Sequence, residues 1–431
     1  MSLNATLGKS LYWKLLQFLI VFITNILFVR LFKPELASVF YSIIYLASLL
    51  VSFFTLGMDV SLNYFLSKKQ ISASNVHSLT LLVVICALVI TIPVCFLYFN
   101  NTPLNEFISI SQKIAFSVLY VTGGLLIVFS NTIFTVNDQN YIPLKVSVLL
   151  STLVLSLCFI FRAFYSSSEA INAFFYCYFI IYFITGIVLF LSSIKVYNKK
   201  FNIHLVFPIP ISKLFQYSLI IFFINILFVL ASKISIFILP YWMDANALGN
   251  YIQAYKIVEY IVTFIAFIYF PAISMVASQA EEAKGLILFL VRLSNTVILL
   301  VSIFILCFGH YLFTALFGIH FNLMYEVFIY MIPGLFALCA STFFTAYFFG
   351  ANLFKYNLYS ACIMLAVLLA ILFILATNGS VIGAAMAFSI AAIAGFTYDA
   401  ISFKQQYNYK FTNILFLKVS DMSTLKKLLR F

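Results

Sequence analysis

Apolar stretches follow one another along almost the whole chain, with short polar segments between them. A helix needs about 20 residues to cross the hydrocarbon core of a bilayer, and about twelve stretches reach that length. Hydrophobic residues make up 65% and charged residues 8% of the chain, whereas soluble domains carry about 25% charged residues. The sequence therefore predicts an all-α integral membrane protein. Its 52 phenylalanines and 27 tyrosines are expected mostly against lipid and at the membrane interfaces.

The lysines and arginines are distributed unevenly among the polar segments. If the N-terminus is cytoplasmic, only four of the 24 fall on the opposite side, among them Arg30 and Lys33, which also suit interface anchors. Two more, Lys233 and Lys256, lie within apolar stretches. Because cytoplasmic loops are enriched in Lys and Arg, both termini are predicted to be cytoplasmic. The net charge of +12 follows from this topology, and no nucleic-acid partner is expected.

The longest polar connection, residues 195 to 213, divides the predicted helices into two sets of six. We place the domain boundary within it, with an N-terminal six-helix lobe over 1–200 and a C-terminal six-helix lobe over 201–431. The pentapeptide Asn-Ile-Leu-Phe-Val at 25–29 recurs at 225–229. Halves that begin on the same side of the membrane are typical of the parallel repeats of transporters. The predicted architecture is two six-helix bundles around a central cavity.

Polar side chains within the apolar stretches fall on single helix faces. Residues three or four positions apart share a face, and in hydrocarbon a polar group usually faces a partner or a wet cavity. The face of the second stretch, which begins at 39, comprises Tyr41, Tyr45, Ser48, Ser52, Thr55 and Asp59. The first stretch carries Lys14, Gln17, Thr24 and Asn25, and the eighth carries Gln253, Lys256, Glu259, Tyr260 and Thr263. The candidates for lining the cavity or coupling to an ion are Asn25, Tyr41, Tyr45, Ser52, Asp59, Asn225, Gln253 and Glu259.

The charges within the stretches have competing interpretations. Lys14 and Asp59 lie near helix ends, where they either face the cavity or extend to the membrane surface. Lys256 and Glu259 stand three residues apart, a spacing that also suits a structural ion pair. Lys233 has no acidic residue near it in the sequence, which favours a position facing the cavity. Since cations outnumber acids, the cavity is predicted to accept an anion, and its predicted contacts are Lys14, Arg30, Lys233 and Lys256.

Sequence signatures of enzymes are absent. There is no GxxxxGK[ST] loop to hold nucleotide phosphates and no spacing typical of metal ligands. The seven cysteines lie in apolar runs without a CxxC pair. The four histidines are predicted in loops or at interfaces, none beside a plausible nucleophile. We therefore expect neither catalytic residues nor a metal or cofactor.

Four short segments carry a resemblance to a known family. They are Arg-Leu-Phe-Lys-Pro-Glu at 30–35, Leu-Gly-Met-Asp at 56–59, Leu-Gly-Asn-Tyr-Ile-Gln-Ala-Tyr-Lys-Ile at 248–257 and Asn-Gly-Ser-Val-Ile-Gly-Ala-Ala-Met-Ala at 378–387, with Gly350 between the last two. Together they resemble the Wzx-type O-antigen and polysaccharide-unit flippases of the MOP (MATE-like) superfamily. The resemblance extends over nearly the whole chain. One departure is Ala231-Ser232 before Lys233, where the family often has an acidic residue.

The resemblance implies a function and a location. It implies a flippase that moves undecaprenyl-diphosphate-linked oligosaccharide, an O-antigen or similar repeat unit, across the bacterial inner membrane by alternating access. A polysaccharide polymerase and a chain-length regulator are the implied partner proteins. Two alternatives stay open: a MATE-like small-molecule or multidrug antiporter, and a membrane polysaccharide polymerase. The cation excess disfavours the first and the short outer loops disfavour the second.

Overall fold

The computed structural model describes residues 3–102, 108–137, 139–164, 168–197, 211–278, 280–407, 409, 416–418 and 421. These described residues form thirteen α-helices and no β-strand, with short 3₁₀ turns at Leu239–Tyr241 and Ile319–Phe321. The helices are α1 (Leu3–Leu31), α2 (Pro34–Thr55), α3 (Met58–Ser67), α4 (Ala73–Asn101), α5 (Ile110–Val136), α6 (Tyr141–Phe164), α7 (Ser168–Tyr197), α8 (Ile211–Ile238), α9 (Ala245–Ser278), α10 (Ala280–Phe317), α11 (Met324–Gly350), α12 (Phe354–Leu375) and α13 (Val381–Gln406).

The lengths of the helices match the thickness of a bilayer. Helix α3 has 10 residues, and each of the others has at least 22. Within the described part of the chain, 11 helices are long and apolar enough to cross a membrane, and α9, at 34 residues, is a further long helix. The prediction of an all-α, multi-pass membrane protein is confirmed.

Contacts among the helices divide the chain into two compact units, Met1–Ile226 and Leu227–Phe431, named here the first and the second unit. The division falls within α8. The boundary predicted at 200/201 lies among residues 198–210, outside the described residues. In the first unit α2 and α5 are the most buried spans, and in the second unit α11 and α13 are. These four helices therefore form the interior of their units.

A helix break lies at the end of the second predicted span. Helix α2 ends before Leu56 and Gly57, whose backbone φ angles are 48° and 68°, and α3 follows directly. Gly57 lies so close to α8 that an added Cβ would stand 2.6 Å from the carbonyl oxygen of Ser218. Only glycine combines a left-handed φ with this approach. The single polar helix face predicted over positions 41–59 is therefore wrong at its end, because Asp59 lies on α3.

Aromatic side chains form much of the core of the first unit. Phe116 and Phe179 stack with their ring centroids 4.9 Å apart, and Phe28 packs on Phe40 at 4.5 Å. All four rings are almost fully buried. Aromatic pairs at such distances contribute about 0.5–1.5 kcal/mol each beyond the area that they bury. The expectation of mostly lipid-facing aromatic residues did not anticipate this cluster.

Two glycines bring α5 and α7 into direct backbone contact. A Cβ built on Gly186 would stand 2.6 Å from the carbonyl oxygen of Gly123. Small residues allow helices to approach closely. In a membrane no hydrophobic driving force brings helices together, so close approach stabilises their packing through dispersion contacts. The crossing fixes the position of the neighbouring turn of α7, which carries Tyr182.

In the second unit, a serine of α13 enters the hydrogen-bond ladder of α11. The Ser389 hydroxyl donates to the carbonyl oxygen of Tyr330 at 2.5 Å and accepts from the Gly334 N–H at 3.1 Å. The insertion occurs beside Pro333, which lies inside α11 and has no N–H to donate. Ser389 thus holds α13 to α11 at the point where the ladder is open.

Candidate functional site

Three of the predicted charges meet in the second unit, on α8 and α9. Lys233 of α8 lies 3.4 Å from a carboxylate oxygen of Glu259 on α9, with their side chains 23% and 27% exposed. Lys256, one turn before Glu259, lies within electrostatic reach of both residues. Its ammonium group stands 5.6 Å from the ring centre of Tyr260, a cation–π distance. We call Lys233, Lys256, Glu259 and Tyr260 the charge cluster.

The charge cluster carries two ammonium groups against one carboxylate. Glu259 was predicted either to pair with Lys256 or to line the cavity. The structure gives it an ion pair with Lys233, which has no acidic neighbour in the sequence. The spacing of Lys256, Glu259 and Tyr260 places them on one face of α9. Gln253, one turn earlier, is completely buried. With an excess positive charge and partly exposed side chains, the cluster is suited to bind an anion.

The polar residues predicted on α1 and α2 contact each other inside the first unit. The Tyr41 hydroxyl of α2 donates to the Asn25 side-chain oxygen of α1, and Tyr41, Tyr45 and Asn25 are buried. The Ser52 hydroxyl donates to the carbonyl oxygen of Ser48 at 3.0 Å, within α2. The Tyr41–Asn25 bond therefore joins two helices, whereas the Ser52 bond is local.

The remaining predicted residues occupy separate places. Lys14 is half-buried on α1, and Arg30 is exposed in the last turn of that helix. Asn225 is exposed on α8, unlike Asn25, its counterpart in the repeated pentapeptide. Burial raises the pKa of the Asp59 carboxyl on α3, and hydrogen bonds from the backbone N–H groups of the first turn of α3 oppose that rise. The structure does not bring these four residues together.

A cavity in the first unit was not predicted as such. It has a volume of about 290 Å³ and lies among α1, α5, α6 and α7. Its polar lining includes Gln17, Thr24, Ser147, Ser151, Tyr178 and Tyr182. The polar stripe of α1 pointed to Gln17 and Thr24, while no polar stripe was assigned to the stretches that form α6 and α7. The signal that could have found them is the four-residue spacing of Ser147 with Ser151 and of Tyr178 with Tyr182.

Two buried carboxylates of the second unit were also missed. Arg292 of α10 binds Asp421 through two hydrogen bonds, Nε to Oδ2 at 2.7 Å and Nη2 to Oδ1 at 2.6 Å. Asp399 of α13 is completely buried and accepts a hydrogen bond from the Ser341 hydroxyl of α11. Asp421 lies 129 residues from Arg292 along the chain, and Asp399 lies 58 residues from Ser341. No pattern within one helix could have indicated them.

His77, predicted in a loop or at an interface, lies in a helix. It is buried in the first turns of α4, and its Nε2 lies 2.8 Å from the Ser193 hydroxyl of α7. The Ser193 hydroxyl also donates to the carbonyl oxygen of Phe190. Among the described residues, the Nδ1 atom of His77 has no hydrogen-bond partner, so no carboxylate there orients the imidazole. The contact therefore reads as a buried hydrogen bond between helices and lacks the third member of a catalytic triad.

Metal-binding geometry is not found in the described part of the chain, where no three His, Cys, Asp or Glu residues come together. The cysteines described there are free thiols, three of them buried. The polar features available for function are therefore the charge cluster of the second unit and the cavity of the first.

No protein-family model matches the chain, and no curated protein matches it in sequence. Among solved structures, the lipid II flippase MurJ in an inward closed conformation is similar with a TM-score of 0.73 and 14% identity, over 96% of this chain and 89% of that chain. An inward-facing multidrug MATE family transporter of the MOP superfamily gives 0.67 and 17% identity, over 91% and 96%. A MOP superfamily transporter from Pyrococcus furiosus gives 0.66 and 16% identity, over 93% and 95%. The chain therefore has the fold of the MOP-superfamily flippases and transporters.

Proposed function

We propose that this protein is a flippase for undecaprenyl-diphosphate-linked oligosaccharide, the O-antigen or a similar repeat unit. The observation that carries the proposal is the charge cluster, which places two ammonium groups and one carboxylate on α8, a candidate membrane span, and on the adjacent long helix α9. Charges at such positions are costly and are kept for a substrate or an ion. The fold, which is shared with a lipid II flippase, supports a lipid-linked substrate.

The chemistry of the cluster suits a diphosphate. Phosphate oxygens accept charge-assisted hydrogen bonds from ammonium groups, and Lys233 and Lys256 supply six such donors between them. Glu259 pairs with Lys233, and a diphosphate would compete with its carboxylate for that ammonium group. Lys14 and Arg30 are further candidates for contacts along the path.

The proposed topology places both termini in the cytoplasm of a bacterial inner membrane. The flippase would take the lipid-linked unit from the cytoplasmic leaflet and release it in the outer leaflet by alternating access. The polar residues Asn25, Tyr41, Tyr45, Ser52, Asp59, Asn225 and Gln253 remain candidates for contacts with the substrate or a coupling ion. A polysaccharide polymerase and a chain-length regulator are the proposed partner proteins.

A MATE-like antiporter is the second candidate, supported by the similarity in fold to a multidrug transporter. A carrier of cationic drugs needs an excess of acidic groups, and the charge cluster has the opposite balance. Accumulation of a cationic dye in cells that lack the gene would favour this alternative. Unchanged dye accumulation together with a loss of surface polysaccharide would favour the flippase.

Two experiments test the proposal. In a strain that lacks the gene, lipid-linked units should accumulate on the cytoplasmic leaflet and surface polysaccharide should be lost. If single units reach the outer leaflet and stay unpolymerised, the protein is a polymerase and the proposal fails.

Complementation of the same strain tests the diphosphate contacts. The double variant Lys233→Ala/Lys256→Ala should restore little polysaccharide, because it removes both ammonium groups of the charge cluster. Lys355→Ala, at an exposed lysine of the same unit, is the matched control and should restore it fully. Full restoration by the double variant, at equal protein levels in the membrane, would exclude this assignment.

A further inference from the structure

The cavity of the first unit is lined by polar groups on three helices. Gln17 and Thr24 of α1 stand seven residues apart, Ser147 and Ser151 of α6 four apart, and α7 adds Tyr178, Tyr182 and Thr185. Each set lies on one face of its helix and in its interior turns. None of the described residues that line the cavity is charged, and apolar side chains complete the lining (Val21, Ile127, Leu150, Val154 and Ile181). The cavity is therefore neutral and carries polar groups among apolar ones, unlike the charge cluster of the second unit.

Among the described residues, three of these polar side chains have no hydrogen-bond partner. Thr24 and Thr185 donate to carbonyl oxygens of their own helices, at 2.7 Å and 2.8 Å. Ser156, on the lipid-exposed side of α6, does the same at 2.9 Å. No hydrogen bond to another described residue is found for the side chains of Gln17, Ser147 and Ser151.

Gln17, Ser147 and Ser151 are half-buried, so their polar groups face the contents of the cavity. Ser147 and Ser151 could bond back to their own helix, as Ser156 does, and they face the cavity instead. Their hydroxyls and the Gln17 amide are thus available to whatever occupies it.

Tyrosine rings form another side of the cavity. Tyr182 is stacked on Tyr120, with ring centroids 4.0 Å apart and planes within 1° of each other. The Gly123–Gly186 crossing holds the adjacent turns of α5 and α7 together. Flat aromatic faces beside hydroxyl and amide groups are the surface that a sugar ring needs, because its C–H groups contact the ring while its hydroxyls form hydrogen bonds.

The size of the cavity limits what it can hold. At about 30 Å³ for each water of liquid volume, 290 Å³ corresponds to roughly ten water molecules. That space accommodates one monosaccharide ring. A diphosphate is disfavoured because no cation lines the cavity.

We propose that this cavity is a subsite for one neutral sugar residue of the substrate. Gln17, Ser147, Ser151 and the tyrosines of α7 would contact that sugar. The inference rests on the proposed flippase function and adds a separate site for the sugar. The diphosphate and the sugar would then be held by different units of the chain.

Protection of an introduced thiol tests the binding. Ser147→Cys is placed in lipid nanodiscs and labelled with a small maleimide, and mass spectrometry of the labelled peptide separates this thiol from the native cysteines. Glucose and N-acetylglucosamine are the probes, pyrophosphate is the charged comparison, and Ser156→Cys is the matched control. Labelling at 147 should slow in proportion to occupancy, about tenfold when nine-tenths of the sites are filled, with no change at 156.

The outcomes of this experiment are distinct. Slowing by a neutral sugar at 147 alone supports the subsite. No slowing by either sugar up to the highest soluble concentration, or equal slowing by pyrophosphate, overturns it.

A complementation experiment separates this inference from the proposed function. Ser151→Phe fills the cavity and should abolish surface polysaccharide, while Ser156→Phe on the lipid side should preserve it, with both proteins present at wild-type levels in the membrane. If the deletion strain traps lipid-linked units and Ser151→Phe restores transport fully, the flippase function stands and the sugar subsite is wrong. If the deletion strain traps no units, the proposed function itself fails.

Discussion

Asp421→Asn tests whether the segment after α13 is held against α10 by charge. Asp421 accepts two hydrogen bonds from Arg292 and a third from the Lys418 N–H at 2.9 Å. The side chains of Arg292 and Asp421 are 10% and 9% exposed. Close to them, the Leu417 N–H donates to the Thr296 hydroxyl of α10 at 3.1 Å. The exchange of that amide hydrogen therefore reports whether the segment is attached.

The magnitude follows from the charge on the pair. Hydrogen bonds to charged groups contribute about 1.5–3 kcal/mol, and each 1.4 kcal/mol is about a tenfold change in an equilibrium constant. Removing one partner of a buried pair can cost about 3–5 kcal/mol when the other charge stays buried. Here the segment can detach and let water reach Arg292, which limits the loss. We expect the Leu417 amide to exchange about 10- to 100-fold faster in Asp421→Asn.

Hydrogen exchange followed by mass spectrometry measures this change in the full-length protein. Asp244→Asn is the matched control, because it removes an exposed carboxylate of the same unit that accepts from the Ala247 N–H. Asp421→Glu, which keeps the charge, should recover part of the protection. Equal exchange at Leu417 in Asp421→Asn and Asp244→Asn would refute the argument that the ion pair holds the segment.

Three further predictions follow from single contacts. Burial of the Asp421 carboxyl raises its pKa, but hydrogen bonds from Arg292 outweigh this and hold the pKa below its ordinary value of 3.8. The ion pair therefore stabilises the attached segment fully above pH 3.8, and this stabilisation is lost as the pH falls through the lower pKa of the folded protein. At pH 5–6 the Asp421 carboxyl is ionised in both the attached and the detached segment. A decline of Leu417 protection already at pH 5–6 would contradict this prediction. Gly186→Ala should destabilise the first unit by about 1–3 kcal/mol through overpacking, seen as a lower Tm, whereas Gly285→Ala, with open space around its Cβ position, should not. Tyr41→Phe should lower the Tm by the equivalent of about 1 kcal/mol, because Asn25 loses a buried donor, and an unchanged Tm would show that another donor takes its place.

Patterns within single segments of the sequence predicted two kinds of feature: the lipid environment of the chain and the residues that share one face of a helix. The apolar stretches and their lengths indicated membrane helices, and the spacing of Lys256, Glu259 and Tyr260 placed them on one face of α9. The break at Gly57 was missed because the apolar pattern continues through it, while the left-handed backbone there depends on the approach of α8. In hydrocarbon, hydrophobicity no longer separates the inside of a bundle from its outside. This is why the buried aromatic core of the first unit was not distinguished from lipid-facing residues.

The sequence by itself determined that this is an all-α membrane protein, because no other solvent than lipid suits so apolar a chain. It also identified Lys233, Lys256 and Glu259 as charged residues within apolar stretches, where burial is costly and a partner or a functional role is expected. Only the tertiary structure decided the partners: Glu259 with Lys233, Asn25 with Tyr41, Arg292 with Asp421, and Ser147 and Ser151 with a cavity. Each of these contacts joins different elements of the chain, and the packing of small residues such as Gly123 and Gly186 sets which helix faces meet.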